Sequence, residues 1–566
     1  MLFGADSVLP LRRSLRPSVH AETDDARTNP RFWRQLAVWG LIAAAGLLFF
    51  FRLGTFRVLG SHEVFAVAPA RAMLESGDWV VPMYGGYPRL EKPPLIYWCI
   101  AGCGKVCGEI SPLTARFPTA VAAVMLAMLL GWWGRRWYST WVGLAAAFVQ
   151  MTSVWVLIYG RKAEVDMLLC LLTTAALILV VDQPRDESGR RSFFRWTAIF
   201  GLLAITWLAK FHYGLGMVLP VIAVSIVSEQ NWRRIGSLIN PLGWLLLAAA
   251  IVVWPYLVLQ ELPEAHQIWQ RETLGRAVGT LGQDTWYYYG PKLLWMALPW
   301  TPFALLVVRE SWRAAWIERD RRERFLWIWI ATQIVVLSLS ANKHKQYLMA
   351  TLPVISLLSA RGLVRLATDF ATRRRQLSLA WGRGLIVATW CGGIALAAVF
   401  WTKQPELRWA GIWTGISFAT IGTVGFNFLR RGRVAEAMTA TVLNLLVCTV
   451  IQIGWVMPAR DPRLPLKEIA RKCESVTESQ HSICVYRLYR EGLYCFFDSP
   501  AYCEDSAERF VTDLAPGERQ YLVGWKPFVD ELAESGHVKH LHVWPKTGTR
   551  TLPHMADLTL AEFVKD

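Results

Sequence analysis

Arg89-Leu90-Glu91-Lys92-Pro93-Pro94-Leu95-Ile96-Tyr97 sets a carboxylate beside an ammonium, and two successive prolines stiffen the backbone that follows. The same stretch, from Ser61 on, carries His62 and Glu63 and comes directly after the strongly apolar Gln35–Phe51. Charges next to an apolar span are rare and usually tied to a task. Further charged groups recur between later apolar runs: Arg161, Lys162, Glu164 and Asp166, then Lys210 and His212, Arg271 and Arg276, and finally Lys343, His344, Lys345 and Tyr347. Carboxylates with several cations at one membrane face suit a lipid-linked phosphate that carries a group to be moved. The cations hold the phosphate and stabilise it as it leaves, while a carboxylate deprotonates the attacking hydroxyl. Each residue also has a plain structural reading. Asp166 can cap the helix that follows it, Lys210 can snorkel from a helix end, and Arg271 can solvate a loop. Trp286-Tyr287-Tyr288-Tyr289 reads equally as an interfacial belt or a sugar platform. The convergence of the set on one side of the membrane carries the functional reading.

The elements that must position these groups follow from composition. With 54% hydrophobic residues and 30 Trp in 566 residues, the chain is too apolar for an ordinary soluble enzyme. Apolar segments centre on 35–51, 117–133, 141–159, 165–181, 196–209, 214–227, 241–259, 293–308, 325–339, 347–360, 385–400, 409–429 and 437–457. These are about thirteen candidate membrane helices, some short of the ~20-residue ideal. The net charge of +17 is spread over alternate loops, among them Arg135–Arg136, Arg190–Arg191, Arg233–Arg234, Arg321–Arg322, Arg373–Arg375 and Arg430–Arg431. Such alternation follows the positive-inside rule and argues against nucleic acid as a partner. It places the N-terminus and these arginine-rich loops in the cytoplasm, and the loops with Glu91, Lys92, Asp166, Lys210 and Lys343, together with the C-terminal region, outside. Residues 1–31 read as a disordered cytoplasmic leader retained ahead of the first span, 32–457 as the membrane body, and 458–566 as a soluble tail.

Two outer loops exceed a turn. Arg52–Arg116 holds two candidate surface helices, Val64–Leu74 and Leu95–Val106, and Gln260–Pro291 holds the aromatic run. The tail mixes strands at 482–488, 519–523 and 538–543 with helices at 466–473 and 527–534, which predicts a small α/β domain. Cys473, Cys484, Cys495 and Cys503 in that tail favour one or two disulfides of open pairing. Cys99, Cys103 and Cys107 share one helical face and read as packing residues rather than metal ligands. No metal and no cofactor is called for. The mid-span regions are nearly free of charge and show no internal repeat, which weighs against a transporter.

Glu75-Ser-Gly-Asp-Trp-Val-Val-Pro82, Tyr87-Pro-Arg-Leu-Glu-Lys-Pro-Pro-Leu-Ile-Tyr-Trp98 and Ala115-Arg-Phe-Pro118 resemble the first outer loop of bacterial GT-C glycosyltransferases. The similar families are the protein O-mannosyltransferases and the aminoarabinose transferases that modify lipid A. The likeness extends through Arg161-Lys-Ala-Glu-Val-Asp166, Ala209-Lys210, Pro299-Trp300, and Ser338-Leu-Ser340 with Lys343 and Tyr347. The resemblance implies a mainly α, polytopic GT-C bundle of about thirteen helices with a small C-terminal α/β domain. It implies a polyprenyl-phosphate sugar as donor and lipid A, protein or another envelope glycan as acceptor, in the cytoplasmic membrane, with inversion in a single displacement. By position, Glu91, Lys92, Asp166, Lys210, Lys343 and Tyr347 would line the cleft, the lysines on the phosphate. The loop departs from the resembling sequences at its start. Where they carry Asp-Glu and then Arg-Tyr, this chain has His62-Glu63 and Phe65-Ala66, and Lys-Gly-Pro becomes Lys210-Phe211-His212. The base is therefore expected to be His62 or Glu63, with Glu91 or Asp166 orienting the acceptor and Arg271 assisting the phosphate. A weakened glycolipid-binding relative and a lipid-linked sugar transporter are the alternatives.

Overall fold

The computed structural model of the chain describes residues 30–54, 61–184, 187, 189–270, 284–341, 343–370, 375–431, 433–456, 466–477, 482–488, 493, 497, 501–504, 506–544 and 557–566. Every apolar segment is helical over most of its described length. The body starts with α1 (Pro30–Phe50), the loop helices α2 (Ser61–Ser76) and α3 (Leu95–Cys107), and α4 (Pro112–Trp137). It continues with α5 (Thr140–Thr152), α6 (Val154–Tyr159), α7 (Asp166–Val181), α8 (Gly189–Lys210), α9 (His212–Glu229), α10 (Arg233–Leu238) and α11 (Pro241–Glu261). Then come α12 (Tyr289–Met296), α13 (Thr301–Trp316), α14 (Arg321–Leu339), a 3₁₀ turn (Lys345–Thr351), α15 (Leu352–Phe370), α16 (Arg375–Lys403), α17 (Arg408–Arg430) and α18 (Val434–Ile451).

Among the described residues, seven helices are long and apolar enough to cross a membrane, eight if the bent pair α12 and α13 counts as one. The expected thirteen crossings are thus not thirteen straight spans. The segment 141–159 breaks at Ser153, 293–308 bends by 111°, and α7 has 16 residues. The two breaks meet. Val154 N–H donates to the Leu298 carbonyl at 3.1 Å, and the Trp300 indole donates to Thr152 Oγ1 at 2.9 Å. Irregular backbone in hydrocarbon survives only where its polar groups find partners inside the protein, and here each break supplies the other's.

Arginines close helix C-termini, where carbonyls lack intrahelical donors. Arg161 donates to Leu48 and Phe51 carbonyls at the end of α1, at 2.7 and 2.8 Å. At the opposite end of the bundle, Arg322 reaches the Trp137 carbonyl of α4, and Arg324 the Ser228 and Ala315 carbonyls of α9 and α13. The arginine-rich loops therefore stitch helix ends together as well as marking a membrane face.

The tail forms a five-stranded sheet in the order β4-β3-β5-β7-β6, from β3 (Ile483–Tyr486), β4 (Ala501–Glu504), β5 (Arg519–Trp525), β6 (Gly536–Trp544) and β7 (Leu558–Lys565). The β3 pairings with β4 and β5 are parallel, and those of β5 with β7 and of β7 with β6 antiparallel. Side chains alternate between the two faces of a strand. Ile483 and Val485 join Val523 and Leu560 in a core shared with α2 and α3, while Cys484 and Tyr486 face Phe510, Leu522 and Phe563. The two surface helices expected in the first loop are thus one layer of the sheet domain's core. Cys473, on the helix Leu466–Val476, lies in the shared core and Cys484 in the other. Both are buried free thiols, so the expected disulfide does not join them. Cys495 and the side chain of Cys503 lie outside the described residues.

Candidate functional site

Lys210 ends α8, and the chain reverses at Phe211, which takes φ of +43°. A non-glycine residue there is strained. The resembling sequences have glycine at this point. Here the Phe211 ring packs 5.4 Å from Trp207 and 6.1 Å from Trp254, which offsets the strain and keeps the turn. The turn delivers the Lys210 ammonium to Asp166, the first residue of α7, with Nζ 2.7 Å from Oδ1. The same ammonium lies 4.2 Å from the ring centre of Tyr347 and 5.2 Å from that of Tyr213. Tyr213 Oη donates to the Tyr347 carbonyl at 2.5 Å, so α9 holds the 3₁₀ turn that carries Tyr347. A cation set against two neighbouring rings and paired with a carboxylate is fixed in direction.

The loop between α2 and α3 brings Lys92 to this pair. It is pinned from outside by indoles: Trp98 donates to the Trp79 carbonyl, Trp254 of α11 to that of Val80, and Trp269 to that of Leu90. A short hairpin, β1 (Met83–Tyr84) with β2 (Tyr87–Pro88), turns the chain back, and Arg89 N–H donates to the Pro82 carbonyl. Lys92 lies within electrostatic reach of Lys210, Asp166 and Glu164. Its pKa is lowered below the usual lysine value by burial and then by Lys210. Glu91 Oε1 stands 3.4 Å from Arg89 Nη1, whereas its Oε2 is buried with no hydrogen-bond partner. Lys92, Asp166, Lys210 and Tyr347 are thus brought together, with Glu91 on the adjoining turn.

The remaining expected residues separate. Glu63 is buried and fully engaged: Arg116 of α4 donates Nε to Oε1 at 2.7 Å and Nη2 to Oε2 at 3.0 Å, and Ala163 N–H donates to Oε1 at 2.9 Å. This geometry ties α2, α4 and the turn before α7 together, with both carboxylate oxygens accepting hydrogen bonds. His62 is exposed at the start of α2, its ring 6.4 Å from Phe65. Lys343 is buried, with Nζ donating to the Ser340 carbonyl at 2.6 Å and its amide donating to Asp284 Oδ2. It joins the 3₁₀ turn to the aromatic segment and is turned away from open space. Arg271 lies outside the described residues. Trp286 and Tyr287 are exposed. Sequence reasoning passed over Tyr213 and the Arg116 partner of Glu63. Tyr213 lies on the far side of the reversal at Phe211, in the first turn of α9, and Arg116 is distant in sequence, so only the fold supplies either.

Among the described residues, no three His, Cys, Asp or Glu side chains converge as a metal site. A helical membrane body, broken spans, two loop helices and a sheet domain packed on them define a multi-pass membrane protein of the GT-C architecture. Residues 91–258 match the model of the dolichyl-phosphate-mannose-protein mannosyltransferase family. The chain is 27% identical over 388 residues to an undecaprenyl phosphate-α-4-amino-4-deoxy-L-arabinose arabinosyl transferase of Pseudomonas aeruginosa, covering 65% of either chain. It is 25% identical over 300 residues to a Sodalis glossinidius protein of that name with the suffix 2, covering 52% of this chain and 53% of the relative. The match thus spans about half to two thirds of these curated relatives. The crystal structure of ArnT from Cupriavidus metallidurans bound to undecaprenyl phosphate superposes with a TM-score of 0.76 at 19% identity, covering 94% of this chain and 98% of that one. The chain is thus similar to the protein O-mannosyltransferase family over residues 91–258 and to aminoarabinose transferases over about half to two thirds of its length, and it shares the fold of the ArnT structure.

Proposed function

We propose that the chain is a membrane glycosyltransferase that moves a sugar from a polyprenyl-phosphate donor to lipid A, a protein or another envelope acceptor. The reaction takes place on the outer face of the cytoplasmic membrane, with the N-terminus inside and the sheet domain outside. The carrying observation is the Lys210–Asp166 ion pair against the ring of Tyr347, with Lys92 of the first loop within electrostatic reach of both. Two nearby ammoniums offset the charge of the donor's phosphodiester and the additional charge of the polyprenyl phosphate monoester as it departs. The relatives' names and the undecaprenyl phosphate of the ArnT structure support the same donor.

The acceptor oxygen attacks the anomeric carbon as the bond from that carbon to the phosphate oxygen breaks, and the configuration inverts. Polyprenyl phosphate leaves with the bonding pair. Where the acceptor is a hydroxyl, its proton passes to a carboxylate. Glu91, with one oxygen unpartnered, suits that role; Glu63, with both oxygens occupied, holds the loop in place instead. Asp166 aims Lys210. His62 stands exposed at the entrance, where it can meet the acceptor.

The test uses the protein in nanodiscs supplied with a polyprenyl-phosphate sugar and an envelope acceptor. Lys92→Ala is expected to lose most transfer, by tenfold or more; turnover within about threefold of the parent would overturn the assignment. Mass spectrometry of lipid A and surface glycans from parent and deletion cells identifies the product.

A further inference from the structure

At the end of α9 away from Lys210, two guanidiniums share one carboxylate in a place that no step of the proposed reaction uses. Glu229 closes that 18-residue helix, about 27 Å from the turn at Phe211. Its Oε2 lies 2.9 Å from Nε of Arg321, the first residue of α14, and 3.6 Å from Nη1 of Arg234 on α10. Arg234 and Glu229 each expose only 3% of their side chains, and Arg321 exposes 22%. Arg234 donates from Nη2 to the Gln183 carbonyl at 3.3 Å. Its Nε and Nη1, the Nε and Nη2 of Arg321, and Nδ2 of Asn231 in the turn joining α9 to α10 are buried without a hydrogen-bond partner. The 2.9 Å contact is therefore an ion pair whose N–H is not directed at the carboxylate. Asp320, the neighbour of Arg321, uses Oδ1 to cap α14, accepting from the Arg322 and Glu323 amides. Two positive charges against one negative leave one uncompensated, and buried charged donors without acceptors are costly. Water satisfies N–H groups alone; an anion satisfies them and the charge.

We propose that Arg234, Arg321 and Asn231 form a phosphate-binding site between α9, α10 and α14, entered past the partly exposed Arg321. The phosphate is that of an anionic phospholipid headgroup or free phosphate. Arg324, one turn beyond Arg321, donates to the Ser228 and Ala315 carbonyls and so fixes α14 against the ends of α9 and α13. Its guanidinium lies 5.9 Å from the ring centre of Trp316, which clusters with Trp312 and Trp327 at 5.7 and 5.2 Å. Trp312 and Trp316 are exposed, as tryptophans at the headgroup level of a bilayer are. Basic pockets between membrane helices at that level bind anionic headgroups. The site lies a helix length from the lysine pair, so neither reading rests on the other.

The experiment follows the melting temperature of the full chain in phosphatidylcholine nanodiscs, either with phosphatidylglycerol blended in at rising proportion or with inorganic phosphate added. Each variant is first checked for a single size-exclusion peak. The parent is expected to melt higher with one of the two, because a ligand held only by the folded state stabilises it. A rise with phosphatidylglycerol assigns a lipid headgroup, and a rise with inorganic phosphate in pure phosphatidylcholine assigns a free anion. Arg321→Leu is expected to lose most of the rise, whereas Arg430→Gln/Arg431→Gln, in another arginine loop, keeps it. Glu229→Gln, which removes the competing carboxylate, is expected to melt lower without ligand and to show a larger rise with it. A parent that rises with neither ligand would overturn the inference. So would an Arg321→Leu protein whose rise stays within about twofold of the parent's, since a charge-assisted contact should matter more than that. A rise lost equally in Arg321→Leu and Arg430→Gln/Arg431→Gln would reduce the effect to general attraction by a basic face and overturn it too, as would a Glu229→Gln protein with a smaller rise than the parent.

Discussion

Glu63→Gln and Glu91→Gln remove the same charge from two carboxylates of the first loop, and the structure assigns them opposite consequences. Glu63 and Arg116 expose only 4% and 5% of their side chains and share two short hydrogen bonds, with the Ala163 amide as a third donor to Glu63. Neutralising one partner of such a pair leaves a buried guanidinium uncompensated, at a cost of about 3–5 kcal/mol. Glu63→Gln should therefore lower the melting temperature by on the order of 5 °C, given how steeply that temperature follows stability in larger chains. Its turnover at low temperature, where the fold persists, should stay within about tenfold of the parent. Glu91 has one buried oxygen without a partner and a 3.4 Å contact with the other. Glu91→Gln should melt within about 2 °C of the parent yet lose roughly 10²–10⁴ in turnover, the usual contribution of a general base. Thermal unfolding and single-turnover transfer on the same preparations check both. A Glu63→Gln protein that melts like the parent and is inactive would refute the reasoning, because Glu63 would then act on the acceptor and not on the fold.

Lys92 titrates below the ordinary lysine range of ~10.4, because burial and Lys210 disfavour its proton. Phosphate binds the ammonium, so undecaprenyl phosphate affinity should fall as pH rises through that lowered value; Lys92→Arg should hold it flat across a titration from about pH 7 to about pH 10. Lys210→Ala should weaken undecaprenyl phosphate binding about tenfold, whereas Asp166→Asn, which leaves the ammonium against the Tyr347 and Tyr213 rings, should keep affinity within about threefold. Tyr87 Oη donates to Glu504 at 2.6 Å, which pushes its pKa up to about 12. Because the folded value lies above the unfolded one, this contribution is present in full below about pH 10 and is lost as pH rises through about 12. Tyr87→Phe should cost ~1 kcal/mol and flatten that alkaline limb in melting curves.

The surface helices of the first loop were legible because their apolar residues recur at helical spacing and Pro93-Pro94 marks the start of α3. The strands β3, β5 and β6 were legible from alternation, whereas β4 and β7 were not. β7 lies between two neighbours, and Leu558, Thr559, Leu560 and Ala561 are buried in succession, so no period-2 signal survives. The breaks at Ser153 and near Leu298 were invisible because each is stable only through the other, and no local pattern reports a partner that far along the chain. Lys92, Asp166 and Lys210 stood out as charges beside apolar spans and Tyr347 through the resemblance, and the fold sets Lys210 against both Asp166 and Tyr347. Glu63 and Lys343 carried the same signal but are spoken for by Arg116, Asp284 and Ser340. A charge near a membrane marks importance; whether it faces substrate or a neighbour is decided by tertiary contacts.

The sheet face formed by Ile483, Val485, Val523 and Leu560 has consequences for anyone rebuilding this protein. Cut free at the membrane, the tail would show water a bare greasy surface, and it should precipitate or scavenge detergent rather than crystallise. Chimeras with relatives should exchange Ser61–Cys107 and the tail as one cassette, since a foreign tail on the native loop would misfit the layer that carries Lys92.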